Sequence, residues 1–213
     1  PRRTSSAASD VYKRQIQVGA EIFGDSSLQA EQESVNLMLQ SLDIAEVNNV
    51  TLSLGHAGFT ASVLNPFKHL EKEDLLSLEV ALSKKSKSDI ERIIPDSNKN
   101  KESLLYLCDM YGNIDVIEEA RNLFSDIETT NNYLDHLQNM IDYLEEKEQI
   151  SIHIDLCEVQ GFKYHNGLVF SAYTDSAGYV LAKGGRYDGL RKSSDEDRPA
   201  VGFDLDLIAV SNL

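Results

Sequence analysis

The sequence predicts an α+β fold in which one antiparallel sheet is flanked by helices and carries a helical insertion. Apolar residues alternate with a period of two near the start of the chain and again after Gln149, whereas over residues 59–148 they recur at helical spacing. Strands that bracket a helical block, instead of alternating with single helices, favour an antiparallel sheet with an insertion over a parallel βαβ array. The chain has 213 residues, 41% of them hydrophobic, enough to bury one substantial core, and it shows no internal repeat.

Residues 1–15, PRRTSSAASDVYKRQ, carry four basic residues against one acid and no periodic pattern. The string SSAASDVYKRQ resembles translated sequencing-adapter read-through. The segment is expected to be a non-native or disordered leader, with the native chain beginning upstream of Ile16. Residues 16–213 are expected to form one partial core with the helical insertion at about 59–148.

Residues 17–23 read as a strand, with Gln17, Gly19, Glu21 and Phe23 on one face and Val18, Ala20 and Ile22 on the other. Ser26 or Ser27 can cap a helix to about Ala45, because Leu28, Val35, Leu39 and Leu42 recur near helical spacing and Glu31 and Glu33 sit near its positive end. Residues 50–54 alternate as a second strand. In the helical block, Leu75, Leu78 and Leu82, then Leu104, Leu105 and Leu107, then Val116, Ile117, Ala120, Leu123 and Phe124 mark apolar faces. Asn113 and Thr130 stand where N-caps are expected, and Pro95 with Asp96, Ser97 and Asn98 marks a break between helices. Glu145, Glu146, Lys147 and Glu148 read as a solvated helix end. Residues 151–156, 167–173 and 179–183 read as strands, the last two joined by a hairpin loop at 174–178.

Thirty-five acidic residues against 20 basic ones give a formal net charge of -15, which repels a phosphate backbone and disfavours nucleic acid as a partner. No stretch approaches the roughly 20 apolar residues that span a bilayer, so no membrane partner is expected and a cytoplasmic location is. Cys108 and Cys157 lie far apart without CxxC or Cys/His ligand spacing; they are expected as buried, reduced thiols, and neither a metal nor a cofactor is implied.

Three segments carry the chemistry: QVGAE at 17–21, QGFKYHNG at 160–167 and GGRYD at 184–188, followed by RPAVGF at 198–203. Taken singly they are bland. Gln17 and Glu21 could be a solvated strand face, Gly184-Gly185 a bulge, and His165 a satisfied sheet histidine. Taken together, in this order and separation, they resemble the class II core of the histidyl-tRNA synthetases, and the resemblance extends over nearly everything after Ile16. It implies a class II aminoacyl-tRNA synthetase-like sheet with an amino-acid site lined by Gln17, Glu21 and the stretch Gly184, Gly185, Arg186 and Tyr187. A free histidine needs a carboxylate for its imidazole or ammonium group, which Glu21 beside Gln17 could supply, and Tyr164 or Tyr187 could add a hydroxyl.

Departures from the synthetase pattern point away from catalysis. Gln160 stands where the synthetases have an arginine that offsets charge at the α-phosphate, and a neutral amide cannot do that. Asp204-Leu205-Asp206-Leu207-Ile208-Ala209 follows the third motif, so Ala209 replaces the ATP-holding arginine while Asp204 and Asp206 bring negative charge toward a polyphosphate. With four residues after Ala209, no anticodon-binding domain is expected. Tyr164-His165 and the run LVFSAY after Gly167, with LCDMYGNIDVIEEA at 107–120, are similar to the regulatory subunits of ATP phosphoribosyltransferase. That resemblance implies a non-catalytic, histidine-responsive subunit of the first enzyme of histidine biosynthesis. Its expected partners are a short-form catalytic subunit and further copies of itself, with histidine as effector at Gln17, Glu21, Tyr164, His165, Gly184, Gly185, Arg186 and Tyr187. A diverged synthetase core fragment and a binding paralogue from another amino-acid pathway are the competing readings.

Overall fold

The computed structural model describes residues 16–145, 150–157, 165–188 and 198–213; the leader, Gln160 and Tyr164 lie outside them. Strand β1 (Gln17–Phe23) leads into helix α1 (Leu28–Ile44). Ser27 opens α1 in extended conformation and its hydroxyl accepts the Ala30 N–H at 3.3 Å. Strand β2 (Val50–His56) follows and runs straight into α2 (Ala57–Leu64), which the His56 ring caps by accepting the Gly58 N–H at 3.1 Å.

The helical block continues with a 3₁₀ turn (Asn65–Phe67), α3 (Lys72–Ser83), α4 (Lys87–Ile93) and α5 (Lys101–Leu107). A two-residue strand β3 (Tyr111–Gly112) then precedes α6 (Asp115–Leu123) and α7 (Thr130–Glu145). Pro95 falls in the break between α4 and α5, as its missing N–H and its restriction of the preceding residue require. Two expected caps differ. Ile114, not Asn113, opens α6, although Asn113 Oδ1 still accepts the Asp115 N–H at 3.1 Å. Thr130 is already inside α7 and is buried, and its hydroxyl donates back to the carbonyls of Ile127 and Phe124.

Strands β4 (Ile150–Asp155), β5 (Leu168–Thr174), β6 (Ala177–Arg186) and β7 (Ala200–Asp206) complete a seven-stranded sheet, and the short helix α8 (Leu207–Ser211) follows. The sheet order is β1-β7-β6-β5-β2-β4-β3, antiparallel throughout except for a parallel β2–β4 pair that sequence periodicity did not reveal. The β5–β6 turn is tighter than expected, two residues instead of five, with a register shift in the hairpin beyond Ala172.

One sheet face is the core wall. Leu52, Leu54, Phe170, Ala172, Ala182, Phe203, Leu205 and Ile154 are buried beneath α1, which packs over β1, β6 and β7, and α7, which packs over β2 and β4. Alternation leaves Thr51, Ser53, Ser171, Tyr173, Lys183 and Asp204 incompletely buried on the opposite face. Cys108 and Cys157 are buried free thiols.

Candidate functional site

The open sheet face holds a concave site of ≈ 550 Å³ lined from β1, β5, β6 and β7, a volume suited to a small molecule. Glycine backbone lies beneath its two walls. Gly185 on β6 and Gly202 on β7 are direct cross-strand partners, and each lies under a functional side chain. A Cβ at Gly185 would come within 2.7 Å of the His165 ring, and one at Gly202 within 2.8 Å of Glu21 Cγ. Only glycine lets both side chains lie this close to the sheet. His165 and Glu21 therefore flank adjacent strands' backbones, with the Tyr187 ring edge-on to His165 at 6.4 Å between centroids.

The next row of the same face is polar. Register pairs Gly19 with Asp204, Asp204 with Lys183, Lys183 with Ser171 and Ser171 with Ser53, placing these residues side by side across five strands. Asp204 Oδ1 accepts the Gln17 side-chain amide at 2.8 Å, so the amide reaches toward the site through Asp204 and does not line the concavity itself. Lys183 lines the site on β6, and its side chain makes no hydrogen bond or ion pair with any described residue. Two carboxylates, Glu21 and Asp204, thus face one ammonium group, and the site is formally anionic.

Strand parity sends Arg186 the other way. Lys183, Gly185 and Tyr187 face the site, whereas Gly184 and Arg186 face the core, Gly184 contributing only backbone because a Cβ there would meet the Phe170 ring at 2.6 Å. The Arg186 guanidinium is 5% exposed and is consumed behind the sheet. Its Nε bonds Glu31, and its terminal nitrogens donate to the carbonyls of Asp25 at 3.2 Å and Ser27 at 3.1 Å. It holds the loop entering α1 and is not available to a ligand in the concavity.

Glu31 is itself 1% exposed and sits at the centre of a buried polar chain. Its second oxygen lies 2.6 Å from His136 Nε2 on α7, and His136 Nδ1 lies 3.1 Å from His56 Nε2. Because the Gly58 N–H donates into His56 Nδ1, the His56 proton must sit on Nε2 and point to His136 Nδ1, which leaves His136 Nε2 to carry its proton beside Glu31. Burial works to raise the Glu31 pKa, but the bonds from His136 and Arg186 outweigh it and hold the carboxyl below its usual range. Burial, with repulsion from His136, pushes His56 down to about 3.

Of the residues named from sequence, Glu21, His165, Gly184, Gly185 and Tyr187 come together at the site; Gln17 joins at its edge, and Arg186 points away. Asp206 also departs from expectation: its carboxylate caps α8 by accepting the N–H groups of Ile208 and Ala209, both at 3.0 Å, which leaves Asp204 as the acid that lines the site. Lys183, Ser171 and Tyr173 were not singled out from sequence, although parity from Gly185 would have found Lys183. A larger hollow of ≈ 910 Å³ lies between the end of α1 and the starts of β2 and β4, but apolar and small polar side chains share its lining and, among the described residues, no cation lines it. Among the described residues no three His, Cys, Asp or Glu converge to hold a metal ion, and no helix is long and apolar enough to cross a membrane.

Comparison with known proteins places this architecture. The histidyl-tRNA synthetase family model matches residues 2–210. ATP phosphoribosyltransferase regulatory subunits from Hahella chejuensis and Burkholderia cenocepacia are 32% and 35% identical over 98% and 92% of the chain, which spans 52% and 50% of their lengths. The structure of an ATP phosphoribosyltransferase regulatory subunit/histidyl-tRNA synthetase from Bacillus halodurans superposes with a TM-score of 0.77 at 28% identity, over 92% of this chain and 52% of that one. At 19% identity, the ATP phosphoribosyl transferase (HisG:HisZ) complex from Thermotoga maritima shares the fold with a TM-score of 0.69, over 91% of this chain and 66% of that one. The chain therefore spans about half the length of the curated relatives it matches, and it belongs to the histidyl-tRNA synthetase family, within which those relatives are named ATP phosphoribosyltransferase regulatory subunits.

Proposed function

We propose that this chain is part of a non-catalytic regulatory subunit of ATP phosphoribosyltransferase, acting in the cytoplasm in the first step of histidine biosynthesis, and that its glycine-floored site binds free histidine as effector. The observation that carries the reading is the anionic site itself. Glu21 and Asp204 favour a cationic imidazole or ammonium group and oppose a nucleotide polyphosphate, and Ala209 offers α8 no side-chain charge to hold one. His165 and Tyr187 form one wall, with His165 seated over Gly185, and Glu21 forms the other, seated over Gly202.

The site occupies the sheet face opposite α1 and α7. A catalytic short-form subunit is the expected partner, since the curated relatives are named as regulatory subunits of that enzyme. The test is co-purification of the full-length protein with a short-form catalytic subunit, followed by phosphoribosyl transfer assays with and without histidine. Stimulation by the full-length protein, modulation by histidine and no histidine-dependent pyrophosphate exchange are the expected results. Glu21→Gln should weaken histidine binding about ten- to hundredfold, the worth of one charge-assisted hydrogen bond, and leave the complex assembled. Robust exchange that Glu21→Ala abolishes would instead make the protein a synthetase.

A further inference from the structure

Resting on the reading of the site as an amino-acid pocket, we propose that Lys183 is the ligand-carboxylate contact and so restricts the site to amino acids with a free α-carboxylate. A zwitterionic ligand brings one anionic group into a site whose other charged walls, Glu21 and Asp204, repel it. Its carboxylate therefore needs a cation, and among the described residues lining the site Lys183 is the one formally cationic side chain; Arg186, three residues on, is turned behind the sheet and bonded to Glu31.

Three observations make Lys183 the contact instead of a solvated surface lysine. It projects on the same face as Gly185 and Tyr187, two and four residues along β6, so its stem starts beside the floor. Its cross-strand neighbour Asp204, the obvious partner for a simple surface pair, is engaged by the Gln17 amide at 2.8 Å, and no Lys183–Asp204 ion pair forms. On its other side Ser171 supplies a hydroxyl at the same level, a second donor for a carboxylate oxygen. The ligand is thereby oriented: carboxylate toward Lys183 and Ser171, ring toward His165 and Glu21, and ammonium within reach of Asp204.

The test uses the full-length protein and calorimetric titration with two probes, L-histidine and L-histidinamide, which replaces the carboxylate by a neutral group of the same shape. Lys183→Met should weaken L-histidine about tenfold while leaving L-histidinamide within about twofold, and Lys183→Arg should restore most of the loss. Wild-type protein should prefer L-histidine to its amide by a comparable factor. Equal weakening of both probes by Lys183→Met, or of neither, overturns the assignment even though histidine binding itself stands. If the wild-type protein binds neither probe, the amino-acid reading of the site fails together with this one. Unchanged near-UV circular dichroism of each variant separates loss of the contact from loss of the fold.

Discussion

Lowering the pH from 7 to 5 should cost the fold about 2 kcal/mol through His56 alone. In the unfolded chain this imidazole protonates around its ordinary value of 6.5, while in the fold burial holds it neutral down to about 3. Between those limits the unfolded state binds the extra proton, so stability falls as the pH falls and is fully present only above 6.5. From pH 7 to 5 the unfolded imidazole goes from mostly neutral to almost wholly charged, which at about 1.36 kcal/mol per pH unit integrates to that figure. The geometry gives the same sign, because the Gly58 N–H already occupies His56 Nδ1 and a second proton there would expel the cap of α2. Groups that face His56 are His136 and Tyr133 on α7, the latter with its ring centroid 4.6 Å away, and Glu31 on α1 through His136. Urea unfolding of the full-length protein and of His56→Gln at pH 7 and pH 5 isolates the contribution, since glutamine does not titrate. The wild type should lose about 2 kcal/mol more than the variant over this interval. Parallel losses, or an NMR titration showing the His56 ring protonating above pH 5 in the folded protein, would refute the reasoning.

Glu31→Ala should destabilise the protein by about 3–5 kcal/mol in denaturant titration, because it strands the Arg186 guanidinium, 5% exposed, without its carboxylate; replacing Glu31 and Arg186 together by apolar residues should cost much less than Glu31→Ala alone. Gly185→Ala should weaken histidine binding more than tenfold by calorimetry, since the added methyl meets both the His165 ring and the Leu168 carbonyl at 2.7 Å and one of them must move.

Elements that bury one face of a regular period were legible before the fold was known: β1, α1 with its Ser27 cap, β2, β4 and β5 emerge where the alternation or helical spacing put them. Strand β3 has two residues and so no period to read. Strand β7 did carry a pattern, in Val201, Phe203 and Leu205, but reading Ala200 to Phe203 only as a motif concealed the register that sets Asp204 beside Lys183. The same inattention to parity placed Arg186 in the site on the strength of its neighbours, although a residue adjacent to the floor glycine Gly185 must face the core. His165 over Gly185 and Glu21 over Gly202 were beyond sequence reasoning in another sense. The motifs nominate all four residues, but the pairing of the two glycines depends on contact between strands that periodicity cannot specify.

The single parallel pair has a consequence for how the protein could be cut or rebuilt. Because β4 runs alongside β2 in the same direction, the chain leaving His56 at one end of the sheet must travel back to the other end before entering Ile150. The helices between are thus a crossover bridge over roughly one strand length, about 20 Å, and not a lobe hung from a hairpin. Deleting them would remove the Thr60 hydroxyl bond to the Leu156 carbonyl at 2.9 Å that locks the bridge's first helix to the strand's exit, and joining the ends by a tight turn would reverse β4 or eject it. A minimal version of this fold therefore needs a replacement span of a dozen residues or more across α7's position, with an apolar stripe to seal Leu52, Leu54 and Ile154 from water.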